Sequence, residues 1–329
     1  MIITRSPMRI TLGGGGTDLP SFYSQHTGFL IAMAIDKYFY TVISPRHDNK
    51  VQIISSDFKS IEMKPMDRMH EITMAIPKVV MKHLGIERGC NIFMSSEIPS
   101  GTGLGSSGSV MVNMIKSLSV FNGLDLSKKE IAETACYLEM DVMGAPVGKQ
   151  DQYIASYGGV KSFVFQKDGT TEVSEMRLSE NTLRELESNM LVFYTGIRRD
   201  SSIVLSEQKK ASPKTTEHMM FIKDLGIRSR DALESGDLTA FAELMREHWE
   251  HKKKLTGVTN ERIDALYNAG IASGALSGKL LGAGGGGFLM FYADKNHDKI
   301  REEMEKNGLS ELDVKIDRDG VKTILNTMG

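Results

Sequence analysis

Apolar positions in the first third of the chain come in short bursts. Leu30 to Ile35, Tyr38 to Ile43 and Val51 to Ser55 are each apolar, the last two rich in β-branched or aromatic residues. This pattern predicts strands of an antiparallel sheet joined by tight connections. Cys90 to Met94 is a further strand candidate. The spacing then lengthens. Val110, Met114, Leu118 and Phe121 recur at helical intervals, as do Ile131, Ala135, Leu138 and Val142. Ser127 and Glu130 have capping-box spacing at the start of the second of these helices. Val160 to Phe165 and Leu191 to Tyr194 read as strands. Three more amphipathic helices follow, marked by Ile222, Leu225 and Leu233, by Leu238, Phe241, Met245 and Trp249, and by Ile263, Leu266 and Ile271. The chain closes as strand (Phe288 to Tyr292), helix (Lys295 to Asn307) and strand (Leu312 to Ile316). That order suits an α+β layer with helices on one face of a sheet.

A length of 329 residues suggests about two domains. The boundary falls between Phe165 and Leu191, which divides the chain into 1–180 and 181–329. Charge narrows the partners: 40 Lys and Arg against 42 Asp and Glu leave no basic excess for a phosphate backbone, so nucleic acid is not an expected partner. Cys90 and Cys136 are too few for a disulfide framework and lack zinc-ligand spacing. A reducing cytoplasm is the expected location, since no signal-like segment opens the chain. No apolar run nears the ~20 residues of a membrane span, so no membrane association is expected.

The 32 glycines change the picture because they cluster. One run is Gly13-Gly14-Gly15-Gly16-Thr17-Asp18. A second is Pro99-Ser100-Gly101-Thr102-Gly103-Leu104-Gly105-Ser106-Ser107-Gly108. The third is Gly282-Ala283-Gly284-Gly285-Gly286-Gly287, headed by Lys279-Leu280-Leu281. Without Cβ, backbone can approach a ligand closely. The second run lies between a strand candidate and an amphipathic helix. A loop feeding a helix N-terminus offers free N–H groups and the positive dipole end, both suited to phosphate. Ser106 and Ser107 add hydroxyls for phosphate, for a cation, or merely for capping the helix. Gly103-Leu104-Gly105-Ser106-Ser107-Gly108 fits the letter of a dinucleotide fingerprint, but the acid about 20 residues on, Asp125, leads into a helix rather than ending a strand. Gly144 to Gln150 fails the Walker pattern in both spacing and final residue.

Two carboxylates accompany these loops. Glu139 borders the apolar face of its helix, where a charge needs a partner: a metal ion or a basic side chain. Glu130, Glu133 and Asp141 fall on the wetter side. Asp151 follows the helix-stopping Gly144 and Pro146; it is a cap or loop residue by itself and a candidate base beside a phosphate loop.

Together these segments resemble the GHMP kinase superfamily, from Arg5 to about Phe288. Pro99-x-x-x-Gly103-Leu104-Gly105-Ser106-Ser107 looks like its ATP-phosphate motif, Lys279 to Gly287 like its C-terminal glycine motif, and Ser6-Pro7-Met8-Arg9 occupies its N-terminal motif. Within the superfamily, Gly13 to Pro20 and Tyr194-Thr195-Gly196-Ile197-Arg198-Arg199 are similar to the D-glycero-D-manno-heptose 7-phosphate kinase group. Galactokinase-like members carry Gly-Glu-His-Thr-Asp at the first of these; this chain keeps only Thr17-Asp18.

The resemblance implies an α+β, two-domain GHMP kinase-like fold. Its N-terminal α/β domain would be of the ribosomal protein S5 domain 2-like type and its C-terminal domain ferredoxin-like. It implies ATP and Mg²⁺ as cofactors. Pro99, Gly101, Thr102, Gly103, Leu104, Gly105, Ser106, Ser107 and Gly108 would bind the nucleotide, and Ser107 and Glu139 the metal. Asp151 and Arg9 would be catalytic. Gly15, Gly16, Thr17, Asp18, Arg198, Arg199, Gly284 and Gly285 would meet a small sugar phosphate; beside that implication, an arginine fork suits a phosphate, so one of Arg198 and Arg199 is expected on the sugar's phosphate, with a surface ion pair as the alternative. The implied reaction phosphorylates O1 of a heptose 7-phosphate. A fucose- or galactose-like acceptor is the alternative, and a non-catalytic sensor on the same fold is the alternative of another class. The oligomeric state stays open. Lys252-Lys253-Lys254 reads as a solvated helix end. His248 and His251 have ligand spacing but no third ligand in reach.

Overall fold

A computed structural model describes the chain apart from Phe58, 198–212, Leu255, Thr256, Ala283 and Gly329. Its framework is a long antiparallel pair, β1 (Ile2–Gly13) and β2 (Gly28–Pro45). The two strands expected over 30–35 and 38–43 are thus one. Asp36 and Lys37 interrupt the apolar pattern without ending the strand, because each half of β2 has its own second neighbour. The half from Gly28 to Met33 pairs with β6 (Val160–Phe165), and that from Phe39 to Pro45 with β5 (Cys90–Ser96). A register shift at Pro7/Met8 bends β1 to follow.

β3 (Lys50–Ser55) and β4 (Ser60–Pro65) extend the sheet beyond β5, and β7 (Thr171–Glu175) beyond β6. The β3–β5 pairing is parallel, so the sheet is mixed rather than wholly antiparallel as expected. A second, antiparallel sheet has the order β11-β8-β10-β9, built from β8 (Met190–Tyr194), β9 (Ser277–Leu280), β10 (Phe288–Tyr292) and β11 (Ser310–Glu311). The strand expected over 312–316 does not form. Asp36 N–H donates to Lys315 O and Asp317 N–H to Ala34 O, so this stretch is spent crossing back to the first sheet. There β12 (Lys322–Asn326) pairs with β1.

The first sheet carries α1 (Pro20–His26), α2 (Ala75–His83), α3 (Ser106–Phe121), α4 (Lys128–Cys136) and α5 (Gln150–Tyr157). Ser127 and Glu130 make the anticipated capping box at α4. Helix α3 buries Met111, Met114, Ile115, Leu118 and Phe121 against the sheet. It is also locked to β1 by buried polar contacts: Thr4 Oγ1 donates to Asn113 Oδ1 (2.9 Å) and Ser6 Oγ to Ser109 O (2.8 Å). Satisfied buried polar pairs fix register more sharply than apolar packing does. This pairing sets β1, and so Arg9, against the first turn of α3.

The remaining helices are α6 (Glu180–Asn189), α7 (Pro213–Ser235), α8 (Leu238–Lys252), α9 (Glu261–Ala272) and α10 (His297–Lys306). Trp249, Tyr267, Phe193 and Phe291 anchor the core between α8, α9 and the second sheet. Helix α7 crosses to the first sheet, where Gly226 lets it meet Gly14: a Cβ there would lie 2.9 Å from Gly14 Cα. No helix among the described residues is long and apolar enough to cross a membrane.

Candidate active site

A cavity of 790 Å³ lies between the two sheets' layers, walled by all three glycine segments' neighbourhoods. The second segment supplies its middle. Helix α3 begins at Ser106 behind Gly105, with no side chain capping it, and its first intrahelical bond runs from Ser109 N–H to Gly105 O. The N–H groups of the first turn therefore have no acceptor within the helix, at the positive end of its dipole. Gly103 has φ +87°, and a Cβ on it would lie 2.6 Å from Leu281 O, so only glycine lets this loop press on the third glycine segment.

Of the nucleotide-binding residues expected from the sequence, Gly101, Gly103, Gly105, Ser106 and Ser107 wall the cavity. Pro99, Thr102, Leu104 and Gly108 do not; they build the loop from behind. Thr102 Oγ1 donates to Pro99 O (2.8 Å), Leu104 O accepts from Arg9 N–H (2.9 Å), and Gly108 makes room for α5.

Arg9, Asp151, Ser107 and Glu139 converge. Arg9 Nε donates to Asp151 Oδ1 at 2.7 Å and Arg9 Nη1 to Gly103 O at 2.6 Å. Asp151 sits in the first turn of α5 rather than in a loop, and α5 comes close because Gly108 has no Cβ; one would lie 2.6 Å from Asp151 Cβ. Glu139 belongs to a π-helical turn, Tyr137–Val142, that continues α4. The wider turn aims it inward, 3% exposed, where Ser107 Oγ donates to Oε1 and Gln152 Nε2 donates to Oε2 at 2.6 Å. Burial raises its pKa, and these two hydrogen bonds oppose the rise. Among the described residues no Lys or Arg pairs with Glu139, so the basic-partner alternative is not realised. A buried carboxylate beside a serine hydroxyl and open to the cavity is a hard-oxygen donor set of the kind Mg²⁺ takes.

The first segment divides. Gly15, Gly16 and Asp18 wall the cavity. Asp18 is buried and accepts from Gly16 N–H (3.2 Å) and Gln150 N–H (3.0 Å); burial raises its pKa, with Asp151 adding to the rise. Thr17, expected at the substrate, turns away. It is wholly buried, and its hydroxyl lies 2.8 Å from Gly14 O and 2.7 Å from Phe29 O, holding the turn to β2. Gly284 and Gly285, expected there too, pack on the backbone at Val258, whose O accepts from Gly285 N–H (2.8 Å). It is Gly282 that reaches the cavity. Arg198 and Arg199 lie outside the described residues.

Sequence reasoning missed four basic groups and two polar ones. Lys252 is no solvated helix end: it walls the cavity, and Nζ donates to Gly282 O at 2.5 Å. Only its neighbours behave as expected, Lys253 pairing with Glu250 (2.7 Å) and Lys254 exposed. Lys279 is 5% exposed and donates to Thr11 O (2.6 Å) and Leu12 O (3.2 Å). His218 and His248 also face in, as do Thr11 and Gln150, whose side chains bond at 2.7 Å. The available signal was the place of Lys279 at the head of the third glycine segment. His251 instead stacks on Phe221 and His218.

Comparison with known proteins bears on this arrangement. Residues 71–159 match the family of GHMP kinases N terminal domains and 229–309 that of GHMP kinases C terminal domains. The chain is 30% identical to the D-glycero-alpha-D-manno-heptose 7-phosphate kinase of Campylobacter jejuni over 98% of both chains. It is 29% identical to a galactokinase of Thermococcus kodakarensis over 86% of both. Its fold matches the crystal structure of a D-glycero-D-manno-heptose 1-phosphate kinase from Bacteroides thetaiotaomicron with a TM-score of 0.84, 25% identity and 99% of both chains covered.

Proposed function

The chain belongs to the GHMP kinases, which transfer phosphate to a hydroxyl group, and from that premise we propose that it phosphorylates O1 of D-glycero-D-manno-heptose 7-phosphate with ATP. The observation that carries the reading is the Arg9–Asp151 pair at 2.7 Å, set beside the uncapped N-terminus of α3 and the Ser107–Glu139 contact. Phosphoryl transfer asks a site for two things: alignment of the attacking oxygen, and charge balance on the transferred group.

In this reading the first turn of α3 and the loop from Gly101 to Gly105 hold the donor phosphates. Ser107 and Glu139 would hold Mg²⁺, which supplies further charge neutralisation when bound. Asp151, one oxygen tied to Arg9, keeps the other for the acceptor hydroxyl, which it orients and from which it takes the proton. Arg9 sets the angle of that carboxylate and balances its charge. Asp18, clamped by two backbone N–H groups, accepts hydrogen bonds from sugar hydroxyls. Thr11 and Gln150 complete that wall.

The overall similarity to a heptose 7-phosphate kinase supports the heptose; the similarity to a galactokinase supports a hexose as the second reading. An ADP-release assay across heptose 7-phosphate, free heptose, galactose and fucose tests both, with ³¹P NMR reading the position phosphorylated. Turnover highest on heptose 7-phosphate with a new anomeric phosphate is the expected result. Preference for a hexose, or a product carrying the new phosphate elsewhere, refutes the assignment.

A further inference from the structure

We propose that Lys252, Lys279 and His248 form the binding site for a phosphate group that the acceptor already carries. The proposal rests on the reading of this chain as a kinase of a phosphorylated sugar and gives that phosphate a place.

The first support is an imbalance of charge. Lys279 is buried and Lys252 half-buried, and lysines seldom leave water without a carboxylate. Yet among the described residues no carboxylate lies within 4.0 Å of either ammonium. Their bonds go to neutral carbonyls, Thr11 O and Leu12 O for Lys279 and Gly282 O for Lys252. An ammonium has three donors, so both have N–H to spare. Burial, then the neighbouring Lys252 and Arg9, push Lys279 down to about 7; burial and Arg9 push Lys252 down to about 8. A bound anion relieves that penalty.

The second support is independent of charge. His248 is 6% exposed and walls the cavity, and its Nδ1 is buried without a hydrogen-bond partner. His218 Nε2, on the facing helix α7, is in the same state. Buried polar atoms left without partners are uncommon in folded proteins, and where they cluster beside two spare ammonium groups they fit a ligand rich in acceptors.

The third is position. Lys279 bonds the backbone of Thr11, whose hydroxyl bonds Gln150, whose N–H bonds Asp18. Met219, next to His218, lies against Gly16. The cluster is therefore contiguous with the sugar wall. The donor phosphates have their own cradle in the α3 N-terminus and Ser107, so a second set of cations suits a second phosphate. A phosphate monoester, a dianion with three acceptor oxygens, matches two ammonium groups and an imidazole N–H.

The test compares wild type with K252Q, H248Q and K279M, using heptose 7-phosphate and free heptose as paired acceptors. Each variant is expected to lower the kcat/KM ratio of phosphorylated over free sugar by about 10- to 100-fold, with the loss in acceptor KM and less change in ATP KM. K279M also breaks the tie to β1, so K252Q and H248Q, checked for folding by circular dichroism and AMPPNP binding, carry the decision. An unaltered ratio in both overturns the proposal. So does a rise confined to ATP KM, which would give the lysines to the donor, or a preference lost only in R198A/R199A. If wild type uses neither heptose, the functional assignment fails by itself. The same comparison is then made on the phosphorylated and free forms of the sugar it does use, and no preference for the phosphorylated form overturns the site.

Discussion

The two sides of the cavity solve the problem of buried charge differently. On the side built by α3, α5 and the π-helical turn, each carboxylate is held by side-chain donors of the protein: Asp151 by Arg9, and Glu139 by the hydroxyl of Ser107 and the amide of Gln152. On the side built by α8, β9 and α7, Lys252 and Lys279 lean on neutral carbonyls, and His218 and His248 keep buried nitrogens without partners. The matched side is preorganised: its groups hold their geometry before any ligand arrives, which is what in-line transfer needs. The unmatched side carries an unfavourable charge distribution that an anionic ligand relieves, so it gains selectivity at some expense in stability of the empty protein.

The contrast breaks most directly at Asp151. Asp151→Asn keeps the shape but removes the carboxylate proposed as the base and should lower kcat by ~10²–10⁴-fold while ATP still binds; kcat near wild type would remove Asp151 from the chemistry. Gly108→Ala probes whether geometry rather than charge limits the matched side. The new Cβ would lie 2.6 Å from Asp151 Cβ, so α5 must shift, and a misplacement of that order costs roughly 10²-fold in kcat. Steady-state kinetics with unaltered thermal unfolding would separate this from misfolding. Glu139→Gln should raise the Mg²⁺ concentration for half-maximal rate by at least about 10-fold, since losing even a group that only supports a metal ligand costs that much; an unmoved Mg²⁺ titration would leave Glu139 a structural residue.

The unmatched side is expected to respond to pH. Lys279 and Lys252, near 7 and 8 when empty, lose their protons as pH rises, and the anion requires them charged. Acceptor KM for a sugar phosphate should therefore climb by more than about 10-fold between pH 7 and 9, a range above the second ionisation of phosphate near 6. Among the groups facing them, His218 and His248 are pushed down by burial, His218 to about 4, and so stay neutral there; His251 is also lowered, and arginine does not titrate in the range. A free sugar should show no such climb. Thr17→Val should have the smallest kinetic effect, since its hydroxyl serves the turn, while unfolding free energy falls by about 1–3 kcal/mol as Gly14 O and Phe29 N lose a partner. A large rise in acceptor KM in T17V would return Thr17 to the substrate wall.

Local chemistry was legible in the residues alone. A glycine loop feeding a helix, a capping box at Ser127, strands of branched residues and helices of regular apolar spacing depend on neighbours a few positions away. The chain forms them over nearly the expected spans, such as Phe288–Tyr292 for β10 and Leu238–Lys252 for α8. The family resemblance rests on the same short-range segments. Misreadings arose wherever burial was settled by a distant segment. Two expected strands fused into β2 because β5 and β6 each offered a partner, and the strand at 312–316 was lost to a crossing back to the first sheet.

Thr17 and Asp18 are adjacent, yet one faces the core and the other the cavity, because the turn from Gly14 is pinned to β2 by the Thr17 hydroxyl. Lys252 and Lys254 belong to one lysine run, but only Lys252 lies under Gly282. Sequence determined which loops could approach a phosphate and which helices and strands would form, since these follow from backbone freedom and local periodicity. Tertiary structure decided which charges are buried and which are matched, because the solvation of an ionic group depends on everything packed around it and not on its neighbours in the chain.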